Sequence, residues 1–165
     1  LAPSEMCIRD RSMCYHDQLL SERLKQISED DVIVFDNHPT AYKLIDTLNE
    51  RNINISVFSY STDIIKYVSK YTPFNIILAD ARVNHEQHQL EGMSMMPALD
   101  NLNIHTYFFI ADYIAGDDLY RNHFETAQIQ SYLFKSAAHH VLLNYPPDLN
   151  TSHEEGKYFI GNLTV

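Results

Sequence analysis

The sequence contains few basic residues for its length. Its 165 residues include 12 lysines and arginines against 22 aspartates and glutamates, which gives a formal net charge of −10 at pH 7. A chain of this charge repels a phosphate backbone, so it is a poor candidate for binding DNA or RNA by itself. The 11 tyrosines and 8 phenylalanines are therefore expected in the core and at interfaces, since a base-stacking platform needs accompanying cations.

Cysteines and long apolar runs are scarce as well. Cys7 and Cys14 are the only cysteines, and both lie near the N-terminus, so no disulfide framework holds the fold together. This usage is typical of a reducing compartment. No apolar run approaches the roughly 18 residues that a membrane-spanning helix needs. We therefore expect a cytoplasmic protein without a membrane partner.

Motifs for covalent catalysis, dinucleotide binding and metal binding are also missing. The sequence has no G-x-S-x-G and no G-x-G-x-x-G. His85 and His88 have the wrong spacing for the H-E-x-x-H zinc motif, and the adjacent His139 and His140 cannot share a helix face. We therefore predict no metal, no cofactor and no enzymatic activity.

The first residues do not match the rest of the chain. The stretch "LAPSEMCIRDRSM" has no hydrophobic period and lacks the long apolar segment of a signal peptide. We expect residues 1–13 to be a non-native or disordered leader. The chain has 45% apolar and 21% charged residues, so the remainder, from 14 to 165, is expected to form one globular domain.

Apolar runs of strand length alternate with amphipathic helical stretches along this domain. The predicted strands are Val32–Phe35, Ile55–Phe58, Phe74–Ala79, Thr106–Ala111 and Val141–Leu143. The predicted helices are His16–Ser28, residues 39–48, a helix capped by Ser61, and one that Asn122 and Glu125 open as a capping box. A short hairpin and a helix are expected between Arg82 and Asn101. This order predicts an α/β fold with a mostly parallel sheet and helices on both faces.

Ligands of open α/β sheets bind beyond the carboxyl ends of the strands. The sequence places these ends at Asp36–Thr40, Ser59–Ser61, Asp80–Ala81, Asp112–Ile114 and Asn144–Tyr145. We expect any small-molecule site to be built from these loops.

Five segments resemble, in order, the C-terminal sensor domain of DeoR-family bacterial transcriptional regulators. "HFETAQIQSYLFKSAAHHVLL" is similar to that family's "NLEEAEVKRAMIEAADRVVLL", "FFIADYI" to "FLGADGI", and "DVIVFDNHPTAYKLIDTL" to "DTIFLDSGTTTLALARAL". "ISVFSYSTDI" is similar to "ITVVTNSLPI" and "HQLEG" to "LSLVG". The matches extend from about His16 to about Tyr145.

This resemblance implies a Rossmann-like fold related to ribose-5-phosphate isomerase and CoA-transferase domains. It also implies a small-molecule effector that is a phosphorylated sugar, a homo-oligomer, and DNA binding only through a preceding helix-turn-helix module that this chain lacks. The family's last strand and helix are not matched, so we expect a sensor domain that is truncated at its C-terminus.

The family's first loop, D-S-G-T-T-T, cradles phosphate at a helix N-terminus. The resemblance aligns its six positions with Asp36, Asn37, His38, Pro39, Thr40 and Ala41. Pro39 has no N–H to donate, and His38 replaces a glycine that permits close backbone approach. Two interpretations therefore stand side by side, a modified anion site and a connecting turn with an ordinary helix start.

The resemblance assigns six further ligand-binding candidates, and several have a structural explanation as well. Ser61 is expected to cap a helix, Glu125 to complete a capping box, and Asp80 to repel a phosphate unless it faces a sugar hydroxyl. Gln130 replaces the family's lysine and so removes a charge suited to phosphate. The six candidates are Ser59, Ser61, Asp80, Asp112, Glu125 and Gln130.

Three functions follow from these observations. The leading hypothesis is an effector-sensing and oligomerisation domain of a DeoR-like regulator with a diverged sugar-phosphate site. The second is an interaction module that dimerises without a ligand. The third is a sugar-phosphate isomerase-like enzyme in which Asp112 and Glu125 act as an acid–base pair.

Overall fold

The computed structural model describes residues 16–144 and 158–163. The predicted leader at residues 1–13 and the predicted loop residue Tyr145 lie outside the described residues. The helices are α1 (residues 16–25), α2 (Pro39–Glu50), α3 (Thr62–Tyr71), α4 (Met96–Asp100) and α5 (Phe124–Ser136). The strands are β1 (Val32–Phe35), β2 (Ser56–Phe58), β3 (Asn75–Ile76), β4 (Arg82–Asn84), β5 (Gln89–Glu91), β6 (Ile104–Phe109), β7 (Tyr113–Ala115), β8 (Asp118–Arg121), β9 (Ala137–Leu142) and β10 (Tyr158–Asn162).

A five-stranded sheet in the order β3-β2-β1-β6-β9 forms the centre of the domain, and all its neighbouring strands are parallel. Helices cover both faces, which confirms the predicted Rossmann-like α/β fold. Two smaller antiparallel sheets accompany it, the hairpin β4-β5 and the group β10-β8-β7. None of the helices in the described part is both long and apolar enough to cross a membrane.

Alternate residues of the central strands pack into two separate hydrophobic cores, one on each face of the sheet. Ile33 and Phe35 face the core formed with α1, α2 and α3, whereas Val34 faces the core formed with α4, α5 and the small sheet. This alternation follows from the two-residue period of a strand. The buried residues of α2 are the predicted ones, Ala41, Leu44, Ile45 and Leu48.

Strand lengths differ from the predictions where the partner strand decides them. β1 has the predicted bounds, but β3 has only two residues, because its partner β2 is itself only three residues long. β9 is longer than predicted and begins at Ala137, because its Ala-Ala-His-His segment pairs with β6. Pairing along a neighbour thus overrides the low strand propensity of these residues.

The predicted capping box of α5 is wrong by one residue. His123 caps the helix, and its Nδ1 accepts a hydrogen bond from the backbone N–H of Thr126. Asn122 is unsuited because its own backbone N–H donates to Asp112 at 2.8 Å. The predicted cap of α3 is confirmed, since Ser61 Oγ accepts from the N–H of Ile64 at 3.4 Å.

One hairpin was predicted and another was missed. The β4-β5 hairpin lies in the segment that broke the alternation, as expected. The β7-β8 hairpin turns through Gly116 and Asp117, and Gly116 has a φ of 64°. A glycine at the first turn position is a signal for such a hairpin that the sequence contained.

Candidate functional site

The strand order places a topological switch point between β1 and β6. From β1 the chain extends the sheet through β2 and β3, and it then returns to the other side of β1 with β6. The loops after these two strands diverge and leave a crevice, which is where ligands of such sheets bind. Asp36 directly follows β1, and Ile110 directly follows β6.

Asp36 points into the protein at this crevice and is fully buried. Its carboxylate accepts hydrogen bonds from the Tyr107 hydroxyl at 2.7 Å and from the Ile110 N–H at 3.0 Å. It also accepts one from the side-chain amide of Gln130 at 2.7 Å, and the same amide donates to the Ile110 carbonyl at 2.8 Å. We call Asp36, Tyr107 and Gln130, together with Tyr60, the Asp36 cluster.

Burial dominates the electrostatics of this cluster. It raises the pKa of Asp36 from 3.8 to about 6, against the opposing effects of the hydrogen bonds from Ile110, Tyr107 and Gln130 and of the charge on Arg121. Burial and the Asp36 carboxylate together hold the pKa values of Tyr60 and Tyr107 well above the ordinary value. Both tyrosines therefore remain neutral donors at physiological pH.

The charge of Arg121 acts on this buried acid and lowers its pKa. Its side chain is 10% exposed, and its Nε lies 3.5 Å from a carboxylate oxygen of Asp112. That Nε has no hydrogen-bond partner among the described residues. Asp112 also accepts the N–H of Asn122, so it is engaged on both sides. Arg121 thus balances two acids, Asp112 by contact and Asp36 through its field.

Two backbone donors at the start of α2 that could hold an anion are already bonded within the protein. The N–H of Thr40 donates to His38 Nδ1 at 3.2 Å, and the N–H of Ala41 donates to the His38 carbonyl at 2.9 Å. Pro39 has no N–H. Asn37 is exposed, and its side-chain oxygen accepts from the Tyr42 hydroxyl. This geometry favours the connecting turn over the modified anion site.

The predicted serines are buried and bonded within the protein. Ser59 Oγ donates to the Phe35 carbonyl at 2.6 Å and accepts the N–H of Ser61 at 3.0 Å. Ser61 Oγ caps α3. Asp80 is exposed, and its backbone carbonyl accepts from Ser94. These contacts give Ser59 and Ser61 structural roles.

Asp112 and Glu125 take different partners. Asp112 contacts Arg121, whereas Glu125 lies within hydrogen-bonding reach of Glu91, which raises the Glu125 pKa both through that contact and through its charge. Within the described residues no hydrogen bond or ion pair joins Asp112 directly to Glu125. No group of three or more histidine, cysteine, aspartate or glutamate side chains in the described ranges is arranged to hold a metal ion.

An open cleft of about 370 Å³ lies between the first turns of α5 and the segment from β4 to α4. The neighbouring turns of α5 contact the switch point, because Gln130 bonds to Asp36 and Ile110. Glu125 is the one predicted candidate that lines this cleft. The lining residues are Arg82, Gly92, Met93, Met96, Phe124, Glu125, Gln128 and Ile129.

The structure therefore divides the predicted residues into separate groups. It brings Asp36 and Gln130 into direct contact, and it places Asp112 against Arg121 and Glu125 in the cleft. Asn37, His38 and Thr40 belong to the loop at the start of α2, and Ser59 and Ser61 are bonded to the backbone. Sequence reasoning missed Tyr60 and Tyr107 and could not place Arg121.

The whole described domain can be compared with known families. The family model of the DeoR C terminal sensor domain matches residues 21–144, which is most of the chain. The chain belongs to this family. Its members are sensor domains of transcription regulators that bind small-molecule effectors, and they are generally non-catalytic. No curated protein matches the chain.

Proposed function

We propose that this sensor domain binds its effector in the cleft beside α5 and that the first loop no longer serves as a phosphate site. The observation that carries the proposal is the pairing of the first-loop amides within the protein, next to an open cleft that adjoins the same carboxyl edge of the sheet. The effector site of the family is thus diverged in this chain, and a phosphorylated sugar is one class of ligand to be tested there.

The cleft has the lining of a small-molecule site. Apolar side chains form most of it, and Glu125, Arg82 and Gln128 supply polar groups at few positions. Its volume lies near the lower end of the range for ligand pockets, which favours a small molecule. Because α5 also holds Asp36 through Gln130, a ligand that moves α5 acts on the switch point of the central sheet.

Regulation would proceed by population shift. We propose a homo-oligomer in which one arrangement of subunits binds the effector more tightly, so that the effector shifts the population towards that arrangement and thereby changes DNA binding by the regulator. To change the population ratio of the two subunit arrangements from about 1:99 to 99:1, the effector must bind one of them more tightly by about 5.5 kcal/mol. Sedimentation equilibrium of the chain would test the assembly.

A thermal-shift screen tests the site. The panel contains phosphorylated sugars, the same sugars without phosphate, carboxylates and amines. A ligand at 100 times its Kd should stabilise the domain by about 2.7 kcal/mol. We expect Glu125→Gln and Gln128→Ala to reduce the shift and Thr40→Ala to leave it unchanged.

A substitution at the opposite edge of the sheet provides a matched control for the thermal-shift screen. A second open cleft there is lined by Ser136, and Ser136→Ala should not affect the shift. A ligand whose binding depends on Thr40 and not on Glu125 would refute the cleft as the site. A screen without any binding member would instead support the ligand-free interaction module.

A further inference from the structure

The carboxyl group of Asp36 is enclosed by side chains and backbone from several elements. Tyr107 of β6 donates its hydroxyl to the carboxylate at 2.7 Å, and the N–H of Ile110, directly after β6, donates at 3.0 Å. Gln130 of α5 donates its side-chain amide from the helix side, also at 2.7 Å. Tyr60, in the loop between β2 and α3, is buried beside them. Asp36 is therefore fully shielded from solvent, although it lies at the carboxyl edge of the sheet.

Each hydrogen bond that the described residues give to the Asp36 carboxylate comes from an uncharged group. Burial raises the pKa of Asp36 from 3.8 to about 6. The charge of Arg121 opposes this rise, but the ion pair that Arg121 forms in the described structure is with Asp112. A buried carboxylate without its own ion pair retains much of the cost of its desolvation. Two events relieve this cost, the uptake of a proton and the entry of water.

Gln130 has a second polar group without a partner at the same place. Its Nε2 donates to Asp36 and to the Ile110 carbonyl, whereas its Oε1 is buried and has no hydrogen-bond partner among the described residues. A buried acceptor without a donor is destabilising, as is a buried charge. Withdrawal of the Gln130 side chain would therefore hydrate two groups at once, the carboxylate of Asp36 and the amide oxygen of Gln130.

The helix side of this enclosure is the side that can move. Tyr107 belongs to β6, which pairs with β1 on one side and with β9 on the other at the centre of the sheet. Gln130 instead reaches Asp36 and Ile110 with its side chain, from a helix that packs on the sheet. Contacts of this kind open at lower cost than the paired strands of a sheet centre. Water therefore gains access to Asp36 most easily through a displacement of α5, the helix that also lines the cleft.

We propose that the proton of Asp36 controls the contact between α5 and the switch point. The neutral carboxyl keeps the helix closed on the sheet. The ionised carboxylate favours an open arrangement, in which Gln130 withdraws and water reaches both side chains. The proton passes between the Asp36 carboxyl and solvent, and no other covalent bond changes. This inference goes beyond the proposed effector site, and it holds whether or not the cleft binds a ligand.

The direction of the effect follows from the groups that face Asp36. In the described structure the ionisable ones are Tyr60, Tyr107, Arg121 and Asp112. Both tyrosines have pKa values well above the ordinary value and stay neutral, and arginine stays protonated. The closed form binds the Asp36 proton more tightly than a hydrated form does. Opening of α5 therefore becomes more favourable as the pH rises.

Native-state hydrogen exchange of the 165-residue chain, followed by NMR, tests this proposal. The measured quantity is the protection factor of the α5 amides around Gln130, corrected for the intrinsic exchange rate. We expect it to fall by up to about fiftyfold between pH 4 and pH 7, the factor set by a pKa of 3.8 in the hydrated form and about 6 in the closed form.

The amides of α2 provide an internal reference, because this helix packs in the opposite core and reports global unfolding. We expect the α5 amides to be less protected than those of α2 at pH 7. Their exchange should also depend little on low concentrations of urea, because a local opening exposes little surface.

Substitutions identify the group that titrates. Asp36→Asn does not ionise, so the α5 protection of this variant should not change with pH. Asp112→Asn removes the acid that is paired with Arg121, so the Arg121 charge acts on Asp36 more strongly and the midpoint of the pH dependence should move to a lower pH. Asp100→Asn is a matched exchange at an exposed aspartate and should leave the midpoint unchanged. The pH series of the unaltered chain does not depend on the folding of any variant.

Three results would overturn the proposal. Equal protection of the α5 and α2 amides at every pH would show that α5 opens only by global unfolding. Protection of α5 that stays constant with pH would show that the proton of Asp36 does not control the contact. A pH dependence that persists in Asp36→Asn and disappears in Asp112→Asn would assign the titration to Asp112.

Discussion

Replacing the buried acid with its neutral isostere should change how stability depends on pH. In Asp36→Asn, the side-chain oxygen can accept from Ile110 and Gln130, and the new amide can donate to the Tyr107 hydroxyl oxygen, so the hydrogen-bond geometry is preserved. The only large change is the loss of the ionisable group. The pKa of Asp36 rises from 3.8 to about 6 on folding, and this difference of about 2 units corresponds to about 3 kcal/mol.

Proton linkage gives the direction in which the stability changes with pH. The folded state binds the proton more tightly than the unfolded chain, so the stabilisation from Asp36 is fully present below about pH 4 and is lost as pH rises through about 6. The Asp36→Asn side chain does not ionise, so the stability of this variant has no such loss as the pH rises. Between pH 4 and pH 7 the stability of the variant relative to the unaltered chain should therefore increase by about 2.4 kcal/mol, because the unfolded aspartate is already partly ionised at pH 4.

Urea unfolding at several pH values from 4 to 7.5 measures this difference directly, because the pH dependence of all other groups cancels between the two chains. Asp100→Asn provides a matched exchange at an exposed aspartate. A stability difference between Asp36→Asn and the unaltered chain that stays constant with pH would refute the raised pKa. So would a difference that falls as pH rises.

Three further changes test individual contacts. Ser61→Ala removes the acceptor that caps α3 and should lower the free energy of unfolding by about 1 kcal/mol in urea; an unchanged midpoint would contradict the cap. Gly161→Ala places a Cβ 2.5 Å from the Phe134 ring, and this overpacking should lower the free energy of unfolding by about 1–3 kcal/mol and the melting temperature with it. An unchanged or higher melting temperature would argue against this close contact. Gln130→Lys brings an ammonium group to Asp36 and should lower the pKa of Asp36. The stability of the variant relative to the unaltered chain should therefore increase from pH 4 to pH 6. A stability difference that stays constant with pH would show that the lysine does not reach the carboxylate.

The central fold was predictable because its signals are local. β1 is a run of four apolar residues between polar ones, and α2 carries its apolar residues at helical spacing, so both could be placed within a residue or two. The parallel arrangement follows from the alternation of such strands and helices. The predicted family follows from the same ordered segments, and the match over residues 21–144 confirms it.

Elements whose bounds depend on distant partners were placed less well. β3 and β9 owe their lengths to β2 and β6, and β10 pairs with β8 across a long stretch of chain. The cap of α5 fell on His123 because Asp112 takes the N–H of Asn122. The resemblance itself had aligned His123 with an asparagine of the family, which was a usable signal for the cap.

The contacts of the Asp36 cluster could not be read from local pattern. Tyr107 lies 71 positions and Gln130 lies 94 positions from Asp36 in the sequence, and a tyrosine in an apolar strand has no signature that separates a core residue from a hydrogen-bond donor. The resemblance predicted that Asp36 and Gln130 both bind a ligand, and so it suggested a ligand between them. The structure instead joins them directly.

Charge balance supports the proposal that this crevice no longer serves as a phosphate site. Where the family has a lysine on α5, this chain has the neutral Gln130, and the cation comes from Arg121 at the end of β8. Arg121 is held by Asp112 and faces Asp36, so its charge is already matched by two acids before any ligand arrives. A phosphate at the switch point would meet a buried carboxyl and paired loop amides without an uncommitted cation. Such an anion would have to be desolvated without compensation, which costs more than a small site can return. The ligand is therefore expected along α5, in the cleft that Glu125 and Gln128 line.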